Sequence, residues 1–234
     1  MPSILNQEDL IASRSPRELQ SWIDEKISEF SKTPELKEQA LLKKGLAKPF
    51  FEEILPLCQL AMNLYGNRKD VACIPNLDND NYDATILDKS YTPPKELKVE
   101  FTRAVDGKDD YLRMKYFLEH GHVNLVGDLR YEGSEKRGHK IQVKDEAVSV
   151  NDTRKKTCEL IRKCVEGKSN RQYGKSYMLV ITFDDYIGFR FDDNETFPVL
   201  DKMLNEIVSG FNLDFEKLYL LGFSGKTILN CSIQ

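Results

Sequence analysis

The sequence has no run of about 18 or more apolar residues, so no segment is expected to cross a membrane. Its start, MPSILNQEDLIASRS, lacks a basic stretch followed by an apolar run, so no secretory signal is expected and the chain reads as cytoplasmic. Cysteine is scarce and unpaired in pattern. Cys58, Cys73, Cys158, Cys164 and Cys231 are odd in number and form no CxxC, which argues for buried reduced thiols rather than a metal or redox centre. An excess of positive charge is also missing. Lys and Arg total 34 against 38 Asp and Glu, a net charge of −4, so bulk electrostatics draw the chain to neither nucleic acid nor an anionic membrane. A local basic groove on an acidic protein stays compatible with that balance. Repeats, low-complexity tracts and long linkers are absent. The 234 residues therefore read as one sizeable domain over 34–234, preceded by a helical extension over 1–33.

Several short patterns fall short of the chemistry they suggest. His120 and His122 flank Gly121 without a third ligand, and read as a loop pair. The pairs Asp184/Asp185 and Asp192/Asp193 lack the spacing and central glycine of a calcium loop, and read as solvated. FSGKT at 223–227 ends like a phosphate loop, but the upstream glycine is missing and a strand, not a helix, follows. Arg154, Lys155, Lys156, Lys163, Lys168 and Arg171 give a basic helix edge, ordinarily a solvated face.

What is present is a change of hydrophobic period along the chain. Residues 6–30 are amphipathic, with a Ser15-Pro16 start, Glu18 three residues on, and Trp22, Ile23, Ile27 and Phe30 as the stripe. Residues 34–65 continue at helical spacing, with kinks or breaks expected at Pro49 and Pro56 and an end at Gly66. The period then shortens to two. Strands are expected over 71–77, 82–88 and 96–105, the last with Leu97, Val99, Phe101 and Arg103 on one face and Lys98, Glu100, Thr102 and Ala104 on the other. A helix follows near 109–121, then a hairpin of 122–131 and 139–145. Next come a helix over 152–167 capped by Asp152, a doubly buried strand over 176–185, a further helix, and two closing strands around Ser224-Gly225. Such an order predicts an α/β (α+β) fold: a mixed central sheet flanked by helices, with the N-terminal helical extension and the β-hairpin as additions.

Glu100 is the anomalous residue of LKVEFTRA, a strand otherwise fit for burial, and Asp83 opens the strand before it. Two carboxylates directed from neighbouring strands into a cleft are a common way to hold Mg²⁺, which prefers oxygen ligands and keeps several waters. In order, FFEEI on a helix, YDATI and VEFTRA on strands, then the 152–167 helix and QYGKSYMLVITFDD, resemble the PD-(D/E)xK, restriction-endonuclease-like nucleases over roughly residues 40–185. The resemblance implies a restriction-endonuclease-like core, Asp83 and Glu100 as ligands of Mg²⁺ or Mn²⁺, Glu53 (or Glu52) as an assisting helix carboxylate, and DNA or RNA as substrate. Many such nucleases are dimers, so it allows a homodimer, though no segment marks a dimer face.

Thr102 occupies the place of the family lysine. Lys98 shares the strand face with Glu100 and is the expected orienting base, with Lys155 and Lys163 as other donors. A second placement uses Asp128, Gln142 and Lys144 on the hairpin, the last two forming a Gln-x-Lys triplet; the basic turn KRGHK is alternatively a phosphate contact. With the triplet lysine gone, a catalytically inactive module of the same fold, binding nucleic acid or a protein partner, is the rival to a nuclease.

Overall fold

The computed structural model describes residues 4–78, 80–127, 129–134, 138–143, 147–189 and 194–233; for residues 131–134, 138–140 and 232 the backbone alone is described. The N-terminal amphipathic stretch forms two helices, α1 (Gln7–Leu10) and α2 (Pro16–Phe30). Pro16 can open α2 because a first-turn N–H has no helical partner to lose. The Glu18 carboxylate accepts from the Ser15 N–H at 2.9 Å and from its hydroxyl at 2.7 Å, which fixes the entry of the chain. Residue 14 pairs with Cys73 as a one-residue strand against the edge of the main sheet.

The 34–65 stretch breaks where no proline stands. α3 (Pro34–Leu41) ends in a turn with Lys43 at φ 49° and Gly45 at φ 56°, and the helix resumes as α4 (Ala47–Pro49). The two prolines act differently from a simple kink. Between them, Phe50–Ile54 forms one π-helical turn, and α5 (Leu55–Tyr65) follows. Pro56 has no N–H to give to the Glu52 carbonyl, so the α register cannot run through this point. The Leu55 N–H reaches back to Phe50 O instead.

The strands are β1 (Val71–Pro75), β2 (Ala84–Asp88), β3 (Lys95–Ala104), β4 (Leu129–Ser134), β5 (Gly138–Val143), β6 (Tyr177–Phe183), β7 (Lys217–Gly222) and β8 (Ile228–Ser232). Six of them form one mixed sheet in the order β1-β2-β3-β6-β7-β8. β3, β6 and β7 run parallel, and β2 and β8 are antiparallel to their neighbours. β4 and β5 pair only with each other, as the expected hairpin, but β4 starts at Leu129 and not at His122. α6 (Gly107–His120) precedes the hairpin. Its buried Arg113 donates to the carbonyls of Asn124 and Gly127, which fastens the irregular 121–127 segment to the helix. α7 (Val150–Lys168) begins before the expected Asp152. The Ser149 hydroxyl accepts from the Asp152 N–H at 3.1 Å and is the cap, so Asp152 lies inside the first turn. α8 (Thr196–Gly210) lies between β6 and β7.

Alternation along the central strands builds two apolar layers. Leu97, Val99 and Phe101 of β3, Met178 and Val180 of β6, and Tyr219 and Leu221 of β7 pack with α2 and α5. Leu179, Ile181 and Phe183 of β6, with Leu218 and Leu220 of β7, pack with α7 and α8. Leu19, Ile23 and Phe30 of α2 are fully buried in the first layer, so the N-terminal helix is part of the covering of the sheet. Among the described residues no helix is long and apolar enough to cross a membrane.

Candidate functional site

The polar exception to this layering lies where β2 begins and β3 is half run. The Asp83 N–H donates to Val99 O at 2.8 Å, and Asn76 donates to Asp83 O at 2.8 Å. Asp83 lies one residue before the β2–β3 ladder, whose last pair is Ala84↔Val99, and is close enough to Glu100 for that carboxylate to act on it. The Phe101 N–H donates to Asp83 Oδ2 at 2.7 Å, which fixes one carboxylate oxygen; the other has no hydrogen-bond partner among the described residues. Glu100 is 9 % exposed and forms an ion pair with Lys168, from the last turn of α7.

The π-helical turn presents Glu52 and Glu53 over the same end of β3, and they meet different surroundings. Arg103 Nη1 donates to Glu52 Oε1 at 2.5 Å, and Lys43 Nζ lies 3.3 Å from the same oxygen. Asp110 of α6 joins them, 2.7 Å from Lys43 and 3.3 Å from Arg103. Glu52 is therefore neutralised in a four-residue network. Among the described residues Glu53 has no such partner, and it lies near the other acids. Burial first, then Asp83, Glu52 and Glu100, push its carboxyl up to about 7, with Lys48 opposing. Burial likewise pushes Asp83 up to about 6; the Phe101 N–H and Lys168 oppose the shift, and Glu100 adds to it. Acidic side chains from three elements thus lie near one another, and the proton affinities of Glu53 and Asp83 are raised there. An open cleft of about 580 Å³ takes in Glu53 and Asp83, but not Glu100, and is lined besides by Lys43, Lys48, Arg103 and Asp110. A second hollow of about 310 Å³, between β3 and α7, is lined by Thr102, Lys163, Cys164 and Lys168.

Of the expected residues, Asp83, Glu100 and Glu53 are brought together. Lys98 is not. It shares the strand face with Glu100, as alternation requires, but its ammonium lies over the rings of Tyr82 and Tyr177, 4.6 and 5.3 Å from their centroids. The amine beside Glu100 is that of Lys168. Its sequence signal is its place on the apolar stripe of α7: Ile161, Cys164 and Val165 face the sheet, and Lys168 is the next residue on that line. Lys155 is exposed on α7, and Lys163 lines the smaller hollow.

In the alternative triplet, Gln142 is exposed and opposite Arg130 in the separate hairpin sheet, while Asp128 and Lys144 lie outside the described residues, as do most of the KRGHK side chains. His120 ends α6, its ring tilted against Tyr116 with centroids 4.2 Å apart, and only His122 lies in the following loop, its Nδ1 3.0 Å from His120 O. Asp185 differs from its expectation. It is 2 % exposed rather than solvated, and accepts from the Ser224 N–H at 3.0 Å and hydroxyl at 2.5 Å. Gly222 makes the room, since a Cβ there would lie 2.1 Å from Asp185 Oδ2. Asp192 and Asp193 lie outside the described residues. FSGKT is the tight turn between β7 and β8, with Gly225 at φ 70°.

Among the described residues, no three or more His, Cys, Asp or Glu side chains are grouped as a ready metal cage. Mg²⁺ does not require one, because it is often held by one or two carboxylates with water and substrate oxygens completing the shell. The donor chemistry of Asp83 and Glu100, two carboxylates offering hard oxygens, fits such an ion. Comparison with family models, with curated proteins and with solved structures gives no match.

Proposed function

We propose that this chain is a metal-dependent phosphodiesterase acting on DNA or RNA, built on a restriction-endonuclease-like core. The observation that carries the reading is the convergence of Glu53, Asp83 and Glu100 from a helix, a strand start and a mid-strand position, in the chain order the resemblance requires. The order α5, β1, β2, β3, then α7 and β6, with α6 and the hairpin inserted between β3 and α7, supports it as well.

In this reading Asp83 and Glu100 would hold Mg²⁺ or Mn²⁺. The ion supplies a polarised water and offsets charge on the phosphate. Lys168 takes the part of the lysine absent at Thr102. Its ammonium, already held at Glu100, would donate to a phosphate oxygen where negative charge grows. Glu53, with a carboxyl that titrates near neutrality, would exchange a proton with the water or the leaving oxygen. Arg103 and Lys43 keep Glu52 out of this exchange.

The test is incubation of the purified full chain with single- and double-stranded DNA and RNA, with Mg²⁺ or Mn²⁺. Cleavage that disappears in Glu100→Ala is the expected result. Absence of cleavage by the wild type, or equal cleavage by Glu100→Ala, overturns the catalytic assignment. The ion pair of Glu100 with Lys168 favours one second reading, a catalytically inactive binding module in which the lysine has taken the cation's place. A metal titration that leaves Asp83 and Glu100 unperturbed selects it.

A further inference from the structure

Lys98, displaced from the role expected of it, has an organised setting of its own. Tyr82 and Tyr177 meet edge to face with centroids 6.3 Å apart, and the Lys98 ammonium lies over both rings and 3.5 Å from the Tyr177 hydroxyl. Tyr173 extends the group, 5.5 Å from Tyr177 and stacked on Phe215 at 4.3 Å. The three tyrosines and Lys98 are partly exposed. Among the described residues no carboxylate lies within 4 Å of the Lys98 ammonium, so its charge is not spent on an ion pair. The loop that carries Tyr173 adds exposed Arg171 and Lys175, and both Tyr173 N–H and Gly174 N–H donate to Asp214 at 2.9 Å, which holds that loop in place. Tyr82 is the residue before Asp83, and Lys98 stands two residues before Glu100 on the same strand face, about 7 Å away along the strand.

A cation held by aromatic rings, more aromatic surface beside it and a basic margin form the combination that takes an unpaired nucleotide: phosphate on the ammonium, base on a ring. Bases inside a duplex cannot offer their faces to such side chains. We propose that Tyr82, Lys98 and Tyr177, with Tyr173 beside them, form a subsite for the nucleotide next to the phosphate at Asp83 and Glu100, and that the substrate class is single-stranded nucleic acid. The proposal rests on the phosphodiesterase reading for its placement, and is tested without cleavage.

The measurement is fluorescence anisotropy of a labelled single-stranded 12-mer of DNA or RNA, and of the matching duplex, with the full chain in EDTA. The single strand is expected to bind at least about 10-fold tighter than the duplex. Tyr82→Leu weakens it about 10-fold, and Tyr82→Phe, which keeps the ring, binds as wild type. Lys98→Gln lowers the slope of log affinity against log salt by about 0.7, the loss of one phosphate contact to a single strand. Thermal melting of each variant separates lost binding from lost folding. Equal affinity for the duplex, no binding of the single strand, or full affinity in a folded Tyr82→Leu overturns the proposal. Single-strand binding in EDTA without cleavage in Mg²⁺ would keep the subsite and sink the phosphodiesterase reading. Cleavage of duplexes undiminished in Tyr82→Leu and Lys98→Gln would do the reverse.

Discussion

β2 is five residues long and has an aspartate at each end, Asp83 just before it and Asp88 as its last residue. The two live in opposite electrostatic conditions. Asp88 meets the Arg68 guanidinium through two hydrogen bonds, of 3.0 and 2.6 Å, and also accepts from the N–H and hydroxyl of Ser90. Arg68 above all, then Ser90, hold its carboxyl down at about 2. Asp83 has one backbone donor and no cation within 4 Å among the described residues, and burial above all, then Glu100, pushes it up to about 6. One end of the strand satisfies its carboxylate, and the other leaves it in want of a cation. An arginine at one end and none at the other separates a charge that serves stability from one that, on the proposed reading, waits for a metal ion.

The sharpest way to break this comparison is to neutralise each end in turn and read cleavage. Asp83→Asn is expected to lower metal-supported cleavage by about 100-fold or more, while Asp88→Asn leaves the rate at 25 °C unchanged. Equal losses in the two variants would remove the distinction. Stability should move the opposite way. Urea unfolding at pH 7 is expected to show a loss of about 1–3 kcal/mol for Asp88→Asn, which surrenders charge-assisted hydrogen bonds, and no loss for Asp83→Asn, whose amide oxygen still accepts from Phe101.

Glu53 sharpens the contrast through pH. Its folded carboxyl titrates at about 7 and an unfolded glutamate near 4.5, so between these values the folded state holds the extra proton and stability falls as pH rises. Glu53→Gln should therefore be more stable than wild type by about 1–2 kcal/mol at pH 8 and equal to it at pH 4. Urea titrations at the two pH values decide; a constant difference contradicts the assignment. The smallest effect belongs to the acid limb. Asp88 is depressed in the fold, so its contribution is complete above about pH 4 and fades as pH falls toward 2. The stability gap between wild type and Asp88→Asn should narrow over that window.

The strands and their faces were legible in the sequence because period-two alternation and a buried sheet constrain each other. Leu97, Val99 and Phe101 lie in the first layer, as the pattern of β3 requires. Long-range events were not legible. The break at Lys43–Gly45 depends on two positive φ values, one at a lysine, which composition does not mark. Asp185 looked solvated because its partner, Ser224, is 39 residues away and the space it uses is the missing side chain of Gly222. The proximity of Asp83 and Glu100 is legible because strand neighbours are close in sequence. The lysine was misplaced because an amine on the same strand face was given to Glu100, when the tyrosines on either side claim it and α7 brings Lys168 across the sheet.

The π-helical turn at Phe50–Ile54 is a helix with one residue more than an α-helical turn holds. It acts as a phase shifter. Each residue of an α-helix turns the axis by about 100°, so the surplus residue sets the facing of everything before it relative to α5. Deleting a single residue there would rotate α4 and the Lys43 loop out of step with α5, parting Glu52 from Arg103 and Glu53 from Asp83. The spacing of the acids is in this sense a property of chain length at one turn.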